Sequence, residues 1–170
     1  MINLKFERLD LGCGSFKPDG YIGVDLKAFD YPEGEFFLAD LNKRLPFDDC
    51  SFIEIRALQV IEHLDNSKKV DFMREIFRLL KPKGLFYAEF PPPICKNGAP
   101  NPNFFIDPTH TAWWMIGTFF CFDKGWREAD INKDVYVKGY EIDTDFLILG
   151  SGWIDEFNCF ITMTKLRSEK

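Results

Sequence analysis

The sequence predicts an α/β protein built on a largely parallel, doubly wound sheet. Three observations carry that expectation. Short β-rich runs, several ending on an acid, recur through the first half of the chain. One strongly amphipathic stretch, "NSKKVDFMREIFRLLKPKG", lies between two of them. The tail holds two further apolar runs around a glycine-containing turn. Strands alternating with connections, one of them helical, favour parallel pairing with crossovers, whereas the tail predicts an antiparallel hairpin at the sheet edge.

In chain order, "KFERLDLG" and "YIGVDL" are strand-like, followed by "EFFLAD" at 35–40 and "FIEIRALQ" at 52–59. In the amphipathic stretch, Val70, Met73, Ile76, Phe77 and Leu80 recur at helical spacing, with Lys69, Arg74, Glu75 and Arg78 on the other face. Asn66 or Ser67 is the expected cap, and Pro82 with Gly84 the expected stop. "LFYAEF" at 85–90 is the next strand. From Pro91 the chain turns Pro- and Asn-rich, and residues 109–121 are apolar enough for a short helix. The expectation is one domain over residues 1–170, with a substrate or lid insertion at 91–145.

The chain of 170 residues is 46 % apolar with 19 Phe and 4 Trp, sufficient for one aromatic-rich core. A net charge of −6 argues against binding nucleic acid through its phosphates. No run reaches the length of a membrane span, and the start "MINLKFERLDL" lacks a signal-peptide pattern. Five scattered cysteines without a CxxC pair suit reduced thiols, so a cytoplasmic protein without membrane contact is expected.

Gly12 and Gly14 follow the first strand, where a missing Cβ lets the backbone turn sharply and approach a ligand. Asp25 ends the second strand, where an acid can accept both hydroxyls of a ribose, and Asp40 ends the third, within reach of an adenine amino group. Singly, each acid reads more readily as a solvated strand end. Together, at the ends of three successive parallel strands, they predict a nucleoside-containing cofactor.

The blocks "LDLGCG", "GVDL", "LADL", "LPFDDCSFIEIRALQVIEHL" and "FMREIFRLLKPKGLFYAEFP", in that order, resemble class I S-adenosylmethionine (SAM)-dependent methyltransferases of the broad type-11 group. The resemblance spans roughly residues 8–91. Dinucleotide dehydrogenases share the glycine turn but not the later blocks. The resemblance implies a Rossmann-like, seven-stranded sheet whose last two strands form an antiparallel hairpin. It implies SAM as cofactor, with Asp10 and the Gly12–Cys13–Gly14 turn at its methionine part. Asp25 would take the ribose hydroxyls, Leu26 would lie against the adenine, and Asp40 with the backbone of Leu41 would meet its edge. Ala57 to Gln59 would face the sulfonium, and Glu62 with His63 match the family's "EH" pair.

Two features depart from the family. Phe16 stands where the third glycine would be, and only about nine residues join the first two strands, too few for a helical crossover. A compact set of sugar- and polysaccharide-cluster methyltransferases is similar in its LGCG turn, proline and "GYIGVDL" spacing. A homodimer is one way to complete the wall beside the turn.

For chemistry, "FIDPTHTAWW" follows the fifth strand, where the family places substrate contacts. His110 is the candidate general base and Asp107 its partner. The alternative is that Asp107 caps a helix starting at Pro108. Trp113, Trp114, Phe119 and Phe120 suit either core packing or a lid. No Asn/Asp-Pro-Pro-aromatic motif follows the fourth strand, which argues against amino methylation of DNA, and no set of converging acids marks a metal site. The expected activity is methyl transfer to a hydroxyl of a small-molecule or saccharide-like acceptor. The rival is a non-catalytic SAM-binding module that serves as a partner or regulatory subunit.

Overall fold

β1 (Arg8–Leu11), β2 (Ile22–Asp25), β3 (Phe36–Leu38), β4 (Phe52–Leu58), β5 (Leu80–Phe90), β6 (Phe146–Trp153) and β7 (Cys159–Lys165) form one sheet in the order β3-β2-β1-β4-β5-β7-β6. This computed structural model describes residues 4–129 and 142–166. β1 to β5 pair in parallel, while β7 runs antiparallel to both β5 and β6. Chain order reverses between β1 and β4, so the ends of these two strands open the crevice where such sheets bind ligands. The Rossmann-like sheet and C-terminal hairpin therefore stand as the sequence predicts. Part of the expected insertion at 91–145 lies outside the described residues.

Strand side chains alternate between two unlike faces. Leu9, Leu11, Ile55, Ala57, Phe86, Ala88, Ile161 and Met163 are fully buried on one. α1 (Lys69–Leu79) covers this face with Phe72, Met73, Ile76 and Leu79, beside the 3-10 helix Ile116–Phe122. The opposite face carries Asp10, Glu54, Arg56, Tyr87 and Glu89, with Leu85 and Leu147 about two-fifths exposed (39 % and 42 %). No helix among the described residues is long and apolar enough to cross a membrane.

Local readings shift in three places. The turn before α1 is capped by Asp65, whose carboxylate accepts from the Ser67 N–H at 2.8 Å, rather than by Asn66 or Ser67. α1 stops at Leu79 because Leu80 is already extended. Pro82 and Gly84 instead shape an irregular start of β5, where Lys83 has φ +67°. The Lys165 ammonium donates to the carbonyls of Phe77 and Leu80, both at 2.8 Å, satisfying acceptors that a helix end leaves open. The helix expected at 109–121 is an extended strap up to Met115 and becomes helical only at Ile116. Trp114 and Phe119 stack within the core at 4.9 Å, while Trp113 is 58 % exposed.

Candidate active site

The turn after β1 is shaped by its glycines. Gly12 has φ +63° and Gly14 φ +52°, conformations that side chains disfavour. A Cβ on Gly12 would lie 2.3 Å from Cγ2 of Val60, so the turn is pressed directly against the exit of β4. Around Gly14 the space is open, which leaves its backbone approachable. The Gly12 and Cys13 N–H groups both donate to the Val24 carbonyl, at 2.7 and 3.2 Å.

No helix supports this turn; side chains do. The Tyr31 hydroxyl donates to the Gly14 carbonyl at 2.9 Å and accepts from the Lys17 N–H at 3.0 Å. Lys17 is buried against Glu35, 3.3 Å away. Cys13 turns inward, burial pushes its thiol up to about 12, and its sulfur occupies the space a Cβ on Gly23 would need. It therefore contributes backbone, not a thiol, to any ligand. Phe16, at the position of the family's third glycine, projects into solvent.

Asp25 and Asp40 stand at the strand ends as the sequence predicts. Asp25 accepts from the Gly14 N–H at 3.0 Å through Oδ2 and from the Lys27 N–H at 2.9 Å through Oδ1. Each carboxylate oxygen has a second lone pair, so both can still accept a hydroxyl. The Asn42 N–H, at 2.9 Å, holds the Asp40 carboxyl below its usual range, and Lys43 lies 3.2 Å from its other oxygen. Leu26 is 71 % exposed beside Asp25, an apolar surface suited to a base, while Leu41 packs against the core. The glycine turn, its open side and these unsaturated acids fit an adenosine-containing cofactor.

Two expected contacts are reassigned. Asp10, predicted at the methionine part of the cofactor, is 2 % exposed and committed to Arg56 in a bidentate pair, at 2.7 and 2.9 Å. It faces the neighbouring strand because Asp10 and Arg56 are register partners. Ala57, expected near the sulfonium, is sealed in the core. Of the same run, Gln59 is exposed and has φ +52°, an uncommon backbone for a side-chain-bearing residue, at the mouth of the crevice.

Beyond Gln59 the chain makes a 3-10 turn, Ile61–His63, onto which the strap 109–114 is stitched. The Ala112 N–H donates to the Glu62 carbonyl at 2.9 Å. The Thr111 hydroxyl and Trp114 Nε1 donate to the carbonyls of Leu64 and Ile61, both at 2.8 Å. Upstream, the Pro-rich segment is pinned by buried Asn101, whose amide donates to the carbonyls of Pro92 and Phe157, both at 2.7 Å. Asn101 also caps α2 (Pro102–Phe105), accepting from the Asn103 N–H at 3.0 Å.

This stitching brings the two histidines together, with ring centroids 4.6 Å apart. His110 Nδ1 bonds the Phe104 carbonyl at 3.0 Å, and its Nε2 lies 3.7 Å from Asp107. Asp107 caps no helix at Pro108. Its carboxylate accepts from both the hydroxyl and the N–H of Thr109, at 2.6 and 2.8 Å, and these bonds hold it below its usual range. His63 Nδ1 bonds Thr109 Oγ1 at 2.8 Å, and burial followed by the charge of His110 lowers its pKa. Between the imidazoles and the core sits Glu62, 1 % exposed, with neither side-chain oxygen hydrogen-bonded; burial pushes its carboxyl up to about 8. Glu62, His63 and His110 each present a ligand atom within 4.8 Å of the others. Thr109 was invisible as a site residue in the sequence; the Asp-x-Thr spacing of an Asx turn is its only signal.

The Methyltransferase domain family matches residues 9–88. No curated protein matches the chain. Among solved structures, a Haloferax volcanii complex between the Trm112 methyltransferase activator and its methyltransferase is similar at TM-score 0.65 and 16 % identity, covering 99 % of this chain and 86 % of that one. A SAM-dependent methyltransferase from Archaeoglobus fulgidus is similar at TM-score 0.60 and 18 % identity, covering 95 % of this chain and 87 % of that one. Another from Mesorhizobium loti is similar at TM-score 0.60 and 13 % identity, covering 97 % and 93 %. At such identities the structural likeness establishes the fold, and the domain match points to S-adenosyl-L-methionine as cofactor. Residues 9–88 match the Methyltransferase domain family, and the chain carries the fold of the SAM-dependent methyltransferases.

Proposed function

We propose that this protein transfers a methyl group from SAM to a hydroxyl of a small-molecule or saccharide-like acceptor. The observation that carries the proposal is that the glycine turn and the strap after Asp107–Thr109–His110 both pack on the exit of β4, Gly12 against Val60 and Ala112 hydrogen-bonded to Glu62. SAM would supply an electrophilic methyl on a sulfonium, which a nucleophile takes in line as the S–CH3 bond breaks and the sulfur leaves as the thioether of S-adenosylhomocysteine. The backbone of Gly12 to Gly14, Asp25, Leu26 and Asp40 would bind it, with Gln59 at the β4 end.

His110 Nδ1 meets a carbonyl, which only accepts, so Nδ1 carries the proton and the Nε2 lone pair is available. That lone pair is the group to take a hydroxyl proton, and the nearby Asp107 carboxylate would stabilise the resulting imidazolium. Exposed Trp113, edge-on to Phe104, offers an apolar wall for a sugar ring.

Thermal unfolding with SAM, S-adenosylhomocysteine or NAD tests the cofactor. Ligand at about 100 times its Kd adds roughly 2.7 kcal/mol, a rise of about 5–10 °C in Tm. A shift with the first two and none with NAD is expected. Asp25→Ala should weaken SAM by about 1.5–3 kcal/mol, read by calorimetry; unchanged affinity would remove Asp25 from the ribose site.

A second reading, a SAM-binding module that works only with a partner, is favoured by the half-exposed sheet face with Leu85 and Leu147. The Haloferax neighbour was solved with an activator protein. Turnover by the isolated chain in an acceptor screen would remove this reading.

A further inference from the structure

We propose that Glu62, His63 and His110 bind one divalent first-row transition-metal ion of the imidazole-seeking kind, such as zinc. The three residues come from two distant parts of the chain, joined only because the strap 109–114 is hydrogen-bonded to the turn after β4. Their ligand atoms lie within 4.8 Å of one another.

Hydrogen bonding fixes which atoms are free. The Thr109 hydroxyl spends its proton on Asp107, so its oxygen accepts from His63 and Nδ1 of His63 carries the proton. The Phe104 carbonyl likewise places the proton of His110 on Nδ1. Both Nε2 lone pairs are thereby left to a ligand. A second contact on Nδ1 is the usual arrangement behind a metal-bound histidine.

Glu62 provides the independent sign. A buried carboxylate without a hydrogen bond is costly, and the great majority of buried polar side-chain atoms have partners. Both oxygens of Glu62 have none, at 1 % exposure, and the group is aimed at the two imidazoles. A cation would discharge that cost. Two neutral imidazoles and one carboxylate form a ligand set used for zinc and non-haem iron, whereas magnesium and calcium favour all-oxygen shells. In a tetrahedral site with bonds near 2.1 Å, neighbouring ligands sit about 3.4 Å apart, so the side chains close slightly around the ion. Three protein ligands leave coordination positions open.

The catalytic use of the ion rests on the hydroxyl-acceptor reading above; its binding does not. With an ion present, His110 would hold that ion and would not take the proton itself; the ion would acidify a coordinated hydroxyl, whose proton passes to solvent as the oxygen receives the methyl.

The test uses the tag-free full chain, stripped with a chelator and titrated with Co²⁺ without SAM. The expected result is one ion per chain, visible d–d bands and a Kd in the micromolar range or tighter. Glu62→Gln conserves volume and removes the carboxylate ligand, so it should fold normally yet bind at least about tenfold more weakly, as should His110→Ala. Thr109→Val should cost about tenfold, restored by Thr109→Ser, because the hydroxyl orients His63 without touching the ion. Absence of bands at millimolar Co²⁺, or binding unaltered in Glu62→Gln and His110→Ala, overturns the site. A SAM-induced shift in Tm without Co²⁺ binding would refute the metal and leave the methyltransferase reading intact; Co²⁺ binding without a SAM shift would do the reverse.

Discussion

The two sides of the β1/β4 reversal are built by different means. After β4, Ile61 and Glu62 of the turn Ile61–His63 are buried beneath the strap, and Trp114 anchors it as a fully buried side chain stacked on Phe119 and edge-on to Phe72 at 6.2 Å. After β1, a loop stands where a crossover helix would go, held by one tyrosine hydroxyl, one buried lysine–glutamate pair and a glycine that admits a cysteine sulfur. One side adds a buried aromatic anchor to its hydrogen bonds to backbone, while the other rests on hydrogen bonds and an ion pair without such an anchor. Packing resists perturbation because its energy is spread over many contacts. A hydrogen-bonded loop is specified by a few atoms, so its geometry, and the ligand affinity depending on it, changes with single substitutions.

Trp114→Ala tests the packed side and should have the largest effect, about 3–5 kcal/mol off the unfolding free energy in a denaturant titration. Beyond the cavity, it leaves the Ile61 carbonyl without its donor. The loss should appear as global stability, with SAM affinity per folded molecule nearly conserved. A stable Trp114→Ala protein with weakened SAM binding would reverse the assignment of roles.

How much of this was legible follows the same division. Strands β4 and β5 and helix α1 announce themselves because one face of each is buried, which imposes its period on the apolar residues, whereas β2 and β3 are legible only as short apolar runs between turns. The glycine turn and the acids at the strand ends are legible because positive φ and ligand approach both demand particular residue types. The strap was not. Along Thr111–Ala112–Trp113–Trp114–Met115 burial alternates, with Ala112 and Trp114 inside and Trp113 and Met115 outward, an extended period of two. Since both faces carry apolar residues, the alternation is hidden and the density imitates a helix. The grouping of Glu62 with His63 and His110 was hidden for another reason. It depends on backbone hydrogen bonds between segments far apart in the chain, and only His63 and His110 would have drawn notice as possible ligands or bases. The pairing of Asp10 with Arg56 was hidden because register cannot be read from one strand.

On the loop side, Gly23→Ala should cost less overall and more at the cofactor. Its Cβ would fall 2.6 Å from Sγ of Cys13 and 3.0 Å from Cδ of Lys17, so the loop must lift. Overpacking of this kind costs about 1–3 kcal/mol. Because the lifted segment includes Gly14, SAM affinity should fall as well, by calorimetry. Equal losses of stability in Gly23→Ala and Trp114→Ala, with SAM affinity intact in both, would erase the contrast between the two sides.

The smallest change is the most discriminating. Tyr31→Phe keeps the ring stacked on Phe36 at 5.7 Å and removes only the hydroxyl that joins the Gly14 carbonyl to the Lys17 N–H. One net hydrogen bond is worth about 1 kcal/mol. Asp25 continues to hold the Gly14 N–H, and the Gly12 and Cys13 N–H groups their bonds to the Val24 carbonyl, so the turn keeps its other tethers. If the hydroxyl substitutes for the missing helix, SAM should bind about fivefold more weakly, the equivalent of that same energy, with little change in global unfolding. A loss confined to stability would make Tyr31 an ordinary packing residue, and the support of the glycine turn would then fall to Asp25 and Gly23.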